Sequence, residues 1–268
     1  MRKSQYGKET SLVWEGCAQI ENVRLIPTAS TLLIPDDLQR KIDEEFKRAT
    51  EKNPHFFDGM QWRTEFVHGA ADNLLIYVSP SRYSWHNVMR RVQDQPMQFY
   101  PNPLTINTVQ ETSDGHILVG VRGKTSDQRG LALMGAGFVE RVERADKTSK
   151  DPEPIGFVVQ KECLEETRYN EKRTFYMSDA HAIAVVFGSN HDTTVGVHLP
   201  LFATKEDVGL ANEEHSDLIL VPNDETTIRK LLAEGGYKGI PAADHLLGCL
   251  EAYLNNKKTG KIVSNYQH

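Results

Sequence analysis

The sequence is short of cysteine and of long apolar runs, and each shortage excludes a class of protein. Its three cysteines, Cys17, Cys163 and Cys249, lie far apart with no CxxC spacing, which argues against a disulfide framework and against a thiolate zinc site. No stretch approaches the roughly 18 consecutive apolar residues of a membrane span, and no apolar run follows the positive charges of residues 1–11. We therefore expect a cytoplasmic protein that is neither exported nor inserted into a membrane.

An excess of positive charge and the common nucleotide-fold motifs are also missing. The formal net charge is −6 at pH 7, which gives no general attraction to nucleic acid. The segment LMGAGF is not a GxGxxG that opens a helix, and the chain has neither GxxxxGK[ST] nor GxSxG. Dinucleotide-fold, P-loop and serine-hydrolase readings therefore lack support, whereas a small, locally bound anion stays open.

What is present is the composition of an ordinary globular protein. The 268 residues are 39% hydrophobic and 25% charged, enough for one large domain or two modest ones. The best candidate boundary is QFYPNPL, residues 98–104, which carries two prolines within three positions. We predict an N-terminal α/β domain over residues 1–101 and a second domain over residues 102–268.

The order of the predicted elements favours an α+β fold with a mixed sheet. Pro35 and two aspartates open an amphipathic helix in IPDDLQRKIDEEFKRATEK, and the Asp114-Gly115 dipeptide predicts a hairpin turn between two strands. Strand-like runs lie before and after a further helix, whose first turn would hold Pro152 or Pro154. NDETTIRKLLAEG then predicts a helix with Asn223 or Asp224 as N-cap and Gly235 beyond its end, and PAADHLLGCLEAYLNN predicts a last one.

The helix predicted from residue 155 onward carries a crowded acidic face. An apolar stripe is formed by Ile155, Val158, Val159 and Cys163, and beside it lie Glu162, Glu165 and Glu166. Like charges three and four positions apart repel on a helix. The crowding is compatible with a solvated helix face, and it is equally the kind of oxygen-rich surface that binds a hard cation such as Mg²⁺.

The residues upstream of this helix bear on that choice. GAGFVERVE, residues 135–143, followed after a polar loop by KECLEETRY, residues 161–169, resembles the Nudix box. Gly137 and Glu143 have the required five residues between them, Lys161 stands at the arginine position, and Arg168 stands at the later glycine position. The three glutamates of the box correspond to Glu162, Glu165 and Glu166.

The box departs from the family pattern at three points. Seventeen residues separate Glu143 from Lys161 where the pattern has seven, so the loop ADKTSKDPEP holds an insertion of ten. Lys161 supplies a point charge where an arginine would supply a planar fork. Arg168 replaces a glycine that would end the helix, so we expect the helix to run on through Asn170.

The resemblance implies a fold, a chemistry and a set of site residues. The fold would be a mixed β-sheet sandwiched between helices. The reaction would be hydrolysis of the diphosphate bond in a nucleoside diphosphate linked to another moiety, of the nucleotide sugar or ADP-ribose type. Glu162, Glu165 and Glu166 would be Mg²⁺ or Mn²⁺ ligands and water activators, and Gly137 and Arg122 would contact this small-molecule partner. Neither nucleic acid nor a membrane is an expected partner.

Two further segments add candidates. NEEHSDLILVP, residues 212–222, offers Glu213 or Glu214 as a further catalytic carboxylate from a late loop, and we take Glu214; an exposed loop explains the pair equally well. His215 is a candidate general base or a surface residue. NPHFFDGMQWR, residues 53–63, resembles an element that precedes the Nudix domain in some eukaryotic proteins cleaving UDP-sugars. Its aromatic residues, including Trp62, are core residues or one wall of a substrate pocket.

A second class of function stays open. Nudix-like domains can bind a ligand or a partner without hydrolysing it, and the changed arginine and glycine positions favour that alternative here. Retention of three adjacent carboxylates favours the enzyme. A homodimer is compatible with the sequence, although no segment marks an interface.

Overall fold

The computed structural model describes residues 2–3, 10–52, 58–89, 97–123, 130–141, 151–170 and 174–262. Its strands are β1 Arg2–Lys3, β2 Ser11–Gln19, β3 Val23–Pro27, β4 Met60–Gly69, β5 Leu74–Arg82, β6 Leu104–Glu111, β7 His116–Arg122, β8 Leu131–Leu133, β9 Gly137–Phe138, β10 Thr167–Tyr169, β11 His181–Phe187, β12 Thr193–Pro200, β13 Val208–Leu210, β14 His215–Pro222, β15 Gly236–Tyr237 and β16 Ile240–Pro241. The helices are α1 Asp36–Lys52, α2 Tyr83–Met89, α3 Ile155–Glu166, α4 Glu225–Glu234 and α5 Asp244–Lys258.

A nine-stranded mixed sheet forms the centre of the molecule. Its strand order is β1-β2-β11-β12-β6-β7-β14, with β8 added beside β7 and β9 added beside β6. The pair β12 and β6 is parallel, whereas β11 pairs antiparallel with both β12 and β2. Almost every residue of β6, β11 and β12 is buried, as expected for strands covered on both faces.

Helices cover the two faces of this sheet with separate apolar cores. On one face, Val158, Val159 and Cys163 of α3 pack with sheet residues such as Ile106. On the other face, α4 and α5 pack with residues such as Val109. The predicted fold class, α+β with a mixed sheet sandwiched between helices, is therefore confirmed.

The helix ends follow local signals in most places and tertiary pairing in one. Asp224 accepts a hydrogen bond from the Thr227 amide, and Gly235 ends α4 in the left-handed region at φ +64°, as predicted. The prediction that α3 continues through Asn170 is wrong. This helix ends at Glu166, because residues 167–169 form β10 and pair with β13. Residues 145–150 of the predicted loop lie outside the described part of the chain.

The hairpin predicted around Gly115 opens into a cleft. Gly115 has φ +78° in the turn between β6 and β7, as a hairpin turn requires. The two strands pair only at Glu111 and Ile117, after which they separate. Strand β9 then runs beside β6, and β8 runs beside β7. The space between these two pairs of strands lies next to α3 and forms the cavity described below.

The N-terminal region contributes to the large sheet and also builds a sheet of its own. Strands β3, β5 and β4 form a three-stranded sheet, and α1 packs against α2 around Leu38, Ile42 and Met89. Strand β2, however, lies inside the large sheet between β1 and β11. The division at residues 101 and 102 stays a prediction. Among the described residues, no helix has both the length and the apolar character needed to span a bilayer.

Candidate active site

The Glu162 carboxylate lies in close contact with Gly137 of the box. A Cβ added at Gly137 would lie 2.2 to 2.6 Å from the carbon and oxygens of the Glu162 carboxylate, so glycine is what allows this approach. Lys161 Nζ lies 3.6 Å from Glu162 Oε1 and 3.7 Å from Glu140 Oε2. The lysine at the arginine position therefore still bridges two acidic side chains, although without the bidentate geometry of a guanidinium.

Glu166 supports the loop that carries Gly137. It is 1% exposed, its Oε2 accepts a 2.6 Å hydrogen bond from the Gly135 amide, and its Oε1 accepts a longer one of 3.4 Å from the Ala136 amide. Gly135 has φ +67°, which favours glycine at this bend. His215 Nε2 lies 3.3 Å from Glu166 Oε2. Of the two carboxylate oxygens of Glu166, Oε2 therefore makes the shorter hydrogen bond to the backbone.

His215 is a buried residue. Its ring packs over Gly120 of β7, where an added Cβ would lie 2.3 to 2.7 Å from ring atoms. Only 3% of its surface is exposed, so the reading of His215 as a surface residue is wrong. Strand pairing explains this burial, because His215 begins β14 opposite Arg122 at the end of β7. His215 therefore contacts the same Glu166 oxygen, Oε2, that accepts the hydrogen bond from the Gly135 amide.

A cavity of about 990 Å³ brings most of the predicted site residues together. It is lined by Glu162, Glu165, Glu214, Arg122 and Gly137. Glu166 is not among the lining residues. Lys161 lines the same cavity, which has four basic and six acidic lining side chains in all. Five of the six predicted site residues therefore line one cavity, and the sixth, Glu166, accepts a hydrogen bond from Ala136 in its wall. The roles of all six stay predictions.

The carboxylates disturb each other's ionisation. Burial and, after it, the neighbouring charges of Glu166, Glu165 and Glu214 raise the pKa of Glu162 to about 7, against the lowering effect of Lys161. Loss of hydration and the Glu166 carboxylate likewise raise the pKa of Glu214, which lies on the exposed rim. The negative charge in this part of the cavity thus exceeds what Lys161 and Arg122 compensate.

The donor set fits a hard divalent cation. All its donors are carboxylate oxygens, which Mg²⁺ and Mn²⁺ prefer, and an added positive charge would relieve the repulsion among them. Over the described ranges, no group of three or more acidic, histidine or cysteine side chains is arranged so that it could hold a metal ion. Mg²⁺ does not need one, since it commonly takes one or two protein carboxylates and completes its shell with water and phosphate oxygens.

The N-terminal region forms a wall of the same cavity. Residues Tyr83, His86 and Asn87 of α2 and Arg48 and Lys52 of α1 line it. Trp62 does not line the cavity; it is buried, and its indole Nε1 donates a 3.1 Å hydrogen bond to the Glu140 carbonyl. Trp62 is therefore a core residue that ties β4 to the box. Phe56 and Phe57 lie outside the described residues.

Several lining residues escape prediction from the sequence. Asn107, Asp192 and His245 line the cavity although no motif contains them. Asn107 offers the one usable signal, because asparagine is unfavourable in a strand as apolar as LTINTV. Asp192 and His245 come from a turn and from the start of α5, which only the fold brings together.

Comparisons with known proteins find structural likeness alone. No family profile and no curated protein matches the chain. Among solved structures, a bifunctional NMN adenylyltransferase/ADP ribose pyrophosphatase from Francisella tularensis, complexed with AMP and a Mn ion, aligns at 15% identity and TM-score 0.38. That alignment covers 64% of this chain and 45% of the other, so this chain spans less than half the length of that protein.

Two further solved structures are of the same kind. The NUDIX domain of Shewanella oneidensis NrtR, complexed with ADP ribose, aligns at 13% identity and TM-score 0.37 over 63% of this chain and 97% of that one. A Caenorhabditis elegans Ap4A hydrolase binary complex aligns at 10% identity and TM-score 0.34 over 58% and 98%, respectively. A Nudix domain is thus among the solved structures to which this chain shows partial structural similarity.

Proposed function

We propose that this chain is a hydrolase of the Nudix type that requires a divalent cation and cleaves the diphosphate bond of a nucleoside diphosphate linked to another moiety. One observation carries the proposal. Glu162, Glu165 and Glu214 meet Lys161 and Arg122 in a single cavity. Excess carboxylate charge suits a cation, and two basic side chains beside it suit the oxygens of a diphosphate.

In this proposal each residue has a distinct task. Glu162 and Glu165 would hold Mg²⁺ or Mn²⁺ together with water and phosphate oxygens, and Glu214 would accept the proton of the attacking water. Arg122 and Lys161 contact phosphate oxygens. Such a cation neutralises phosphate charge and lowers the pKa of a bound water. Water attacks phosphorus, the anhydride bond breaks, and no covalent intermediate with the protein is required.

In this proposal Glu166 and Gly137 position other residues of the site. The Glu166 carboxylate fixes the amides of Gly135 and Ala136, which keeps Gly137 beside Glu162. His215 supports Glu166 at the oxygen Oε2, which also accepts the Gly135 hydrogen bond. Correct placement of reacting groups is worth orders of magnitude in rate, so a loose loop would cost activity even with every carboxylate present.

The experiment is phosphate release, through a coupled phosphatase, from ADP-ribose, UDP-sugars, NADH, dinucleoside polyphosphates and nucleoside triphosphates with Mg²⁺, Mn²⁺ or EDTA. We expect metal-dependent release from one group, lost in both Glu162→Gln and Glu166→Gln. Glu44→Gln, the same change on an exposed part of α1, is the matched control. A folded protein that releases nothing, or a Glu162→Gln variant with full activity, would contradict the proposal.

A second candidate, a non-catalytic binding protein, is favoured by the position of Glu166. This box glutamate is engaged with backbone amides and is not among the residues that line the cavity. Calorimetric titration with the same compounds separates the two functions. Binding without turnover at any metal concentration would identify the binding protein.

A further inference from the structure

Three buried polar side chains lie in the core next to the loop that carries Gly135. Thr108 and Gln110 of β6 are fully buried, Thr167 of β10 is 1% exposed, and the core around α3 is otherwise apolar. None of the three lines the cavity or has a task in the proposed hydrolysis. Burying a polar group is unfavourable unless it is hydrogen-bonded, so the partners of these side chains show what they hold.

The Thr108 hydroxyl holds the backbone at the start of that loop. Its Oγ1 donates a hydrogen bond to the Met134 carbonyl, and the Gly135 carbonyl oxygen lies 3.3 Å from the same atom. The contact is direct, because a Cβ added at Gly135 would lie 2.5 Å from Thr108 Oγ1 and 2.6 Å from Cys163 Sγ. The backbone at Gly135 therefore lies against both strand β6 and helix α3.

The peptide group between Met134 and Gly135 is fixed at both ends. Its carbonyl accepts the hydrogen bond from Thr108, and its amide donates the 2.6 Å hydrogen bond to Glu166 Oε2. The carbonyl and the amide of a trans peptide group point in opposite directions, so these two bonds together set the orientation of its plane. Hydrogen bonds in series also polarise one another, so the bond from Thr108 strengthens the amide as a donor to the carboxylate.

Gln110 orients the Thr108 hydroxyl. Its Nε2 donates a 3.2 Å hydrogen bond to Thr108 Oγ1, so the hydroxyl proton points away from Gln110 and towards the Met134 carbonyl. Gln110 Oε1 in turn accepts a 2.7 Å hydrogen bond from the Tyr169 hydroxyl. The donors therefore run in one direction, from β10 through β6 to the loop and then to Glu166.

The orientation of this peptide group affects the next two residues of the loop. Ala136 donates a 3.4 Å hydrogen bond to Glu166 Oε1, and Gly137 follows it beside the Glu162 carboxylate. A rotation of the peptide group at Gly135 would disturb both contacts. Displacements of this kind lower the rate of a reaction that depends on the placement of its catalytic groups.

We propose that Thr108, oriented by Gln110, is a positioning residue of the active site. Its hydroxyl fixes the peptide group before Gly135, so that the loop stays beside Glu162 and Glu166. The inference rests on the proposed function for the tasks of these two glutamates. It assigns no chemical step to Thr108, which does not line the cavity.

The test compares Thr108→Val, which replaces the hydroxyl by a methyl group of similar size, with Thr108→Ser, which keeps the hydroxyl. In Thr108→Val we expect kcat to fall about 10-fold, the equivalent of one hydrogen bond, while KM changes little because the substrate contacts in the cavity stay in place. Thr108→Ser should recover kcat to within about 3-fold of the parental value. Loss of packing alone would not be repaired by the smaller serine.

The second measurement is hydrogen exchange of the Gly135 amide by NMR, which needs neither substrate nor metal. Exchange should be about 10-fold faster in Thr108→Val and close to the parental rate in Thr108→Ser, because only the first variant releases the peptide group. Thr10→Val is the matched control. Thr10 is also fully buried, but within the described residues its hydroxyl has no hydrogen-bond partner, so both kcat and the Gly135 exchange rate should stay parental.

Melting curves establish that each variant is folded. If Thr108→Val does not fold, Gln110→Met takes its place with the same two expectations. A parental kcat in Thr108→Val, an unchanged exchange rate at Gly135, or an equal loss in Thr108→Ser would each overturn the inference. A parent protein that hydrolyses none of the compounds refutes the proposed function instead, and the exchange rates alone then decide whether Thr108 holds the loop.

Discussion

The contact between Gly137 and Glu162 makes Gly137→Ala an informative substitution. The new methyl group would lie 2.2 to 2.6 Å from three atoms of the Glu162 carboxylate. Ordinary contacts between heavy atoms are about 3.5–4.0 Å, so the carboxylate has to move by more than about 1 Å. Misplacement of a catalytic group by about 1 Å can cost 10²-fold in rate. We therefore expect kcat/KM to fall about 100-fold, because the Glu162 carboxylate is displaced from its position beside Gly137.

The effect on stability should be much smaller. The Gly137 backbone is not in the left-handed region, and the Glu162 side chain is 14% exposed and borders a cavity, so it can move without opening the core. We expect the free energy of unfolding to fall by about 1 kcal/mol at most, a typical value for a single substitution. Loss of activity and near-retention of stability would together locate the effect in the site.

The assay is kcat/KM on the best substrate of the panel, with metal affinity measured by calorimetry and unfolding measured in urea. Gly156→Ala is the matched control, since a Cβ there meets its nearest neighbours at 3.6 to 3.8 Å, ordinary contact distances. Alanine should also favour α3 by about 0.5–1 kcal/mol. If Gly137→Ala keeps the parental kcat/KM and metal affinity, the placement of Glu162 by Gly137 is not what sustains activity.

Three other predictions concern metal, acid and thiols. Adding Mg²⁺ or Mn²⁺ at about 100 times its Kd should raise the free energy of unfolding by about 2.7 kcal/mol, and EDTA should reverse this; an unchanged melting temperature would argue against a metal site. Burial is the largest influence on the pKa of Glu111 and would raise it, but hydrogen bonds to His198 and Tyr253 together with the charges of His198 and Lys257 outweigh burial and lower that pKa. This carboxylate therefore stabilises the fold above its unfolded pKa, and the contribution is lost as the pH falls through the lowered folded value. Glu111→Gln should therefore cost about 3 kcal/mol in urea at pH 7 and progressively less in acid; a pH-independent cost would contradict this. Burial raises the pKa of Cys163 and of Cys249 to about 12, so a thiol reagent at pH 8 should modify Cys17 at most until the protein is unfolded, when all three react.

The features that the sequence predicts well are those with local causes. The N-cap at Asp224, the left-handed Gly235 and the turn at Gly115 each depend on a few neighbouring residues, and all three are found. The glutamates of the box are likewise close in the sequence and on one helix. Their proximity to Gly137 could be expected only through the resemblance, because a long loop separates the two segments.

The features that the sequence does not predict depend on distant pairing. The end of α3 at Glu166 is set by β13, which lies about forty positions further along and competes with continued helix. Asp192 and His245 reach one another only after β12 and α5 have taken their places against the sheet. The hydrogen bond from the Gly135 amide to Glu166 is likewise not predicted by the box motif, because a motif gives residue types and not the atoms that they contact.

The place of β2 in the large sheet has a consequence for how the chain folds during synthesis. Trp14 of β2 pairs with Val185 of β11. Strand β2 is therefore synthesised long before the strand with which it pairs. Pairing across such a sequence separation closes slowly. Until then the apolar side chains of β2, Leu12 and Trp14 among them, remain without their final neighbours, in a strand whose edges can pair with another chain. We expect newly made protein to depend on chaperones or low temperature for yield more than its final stability would indicate.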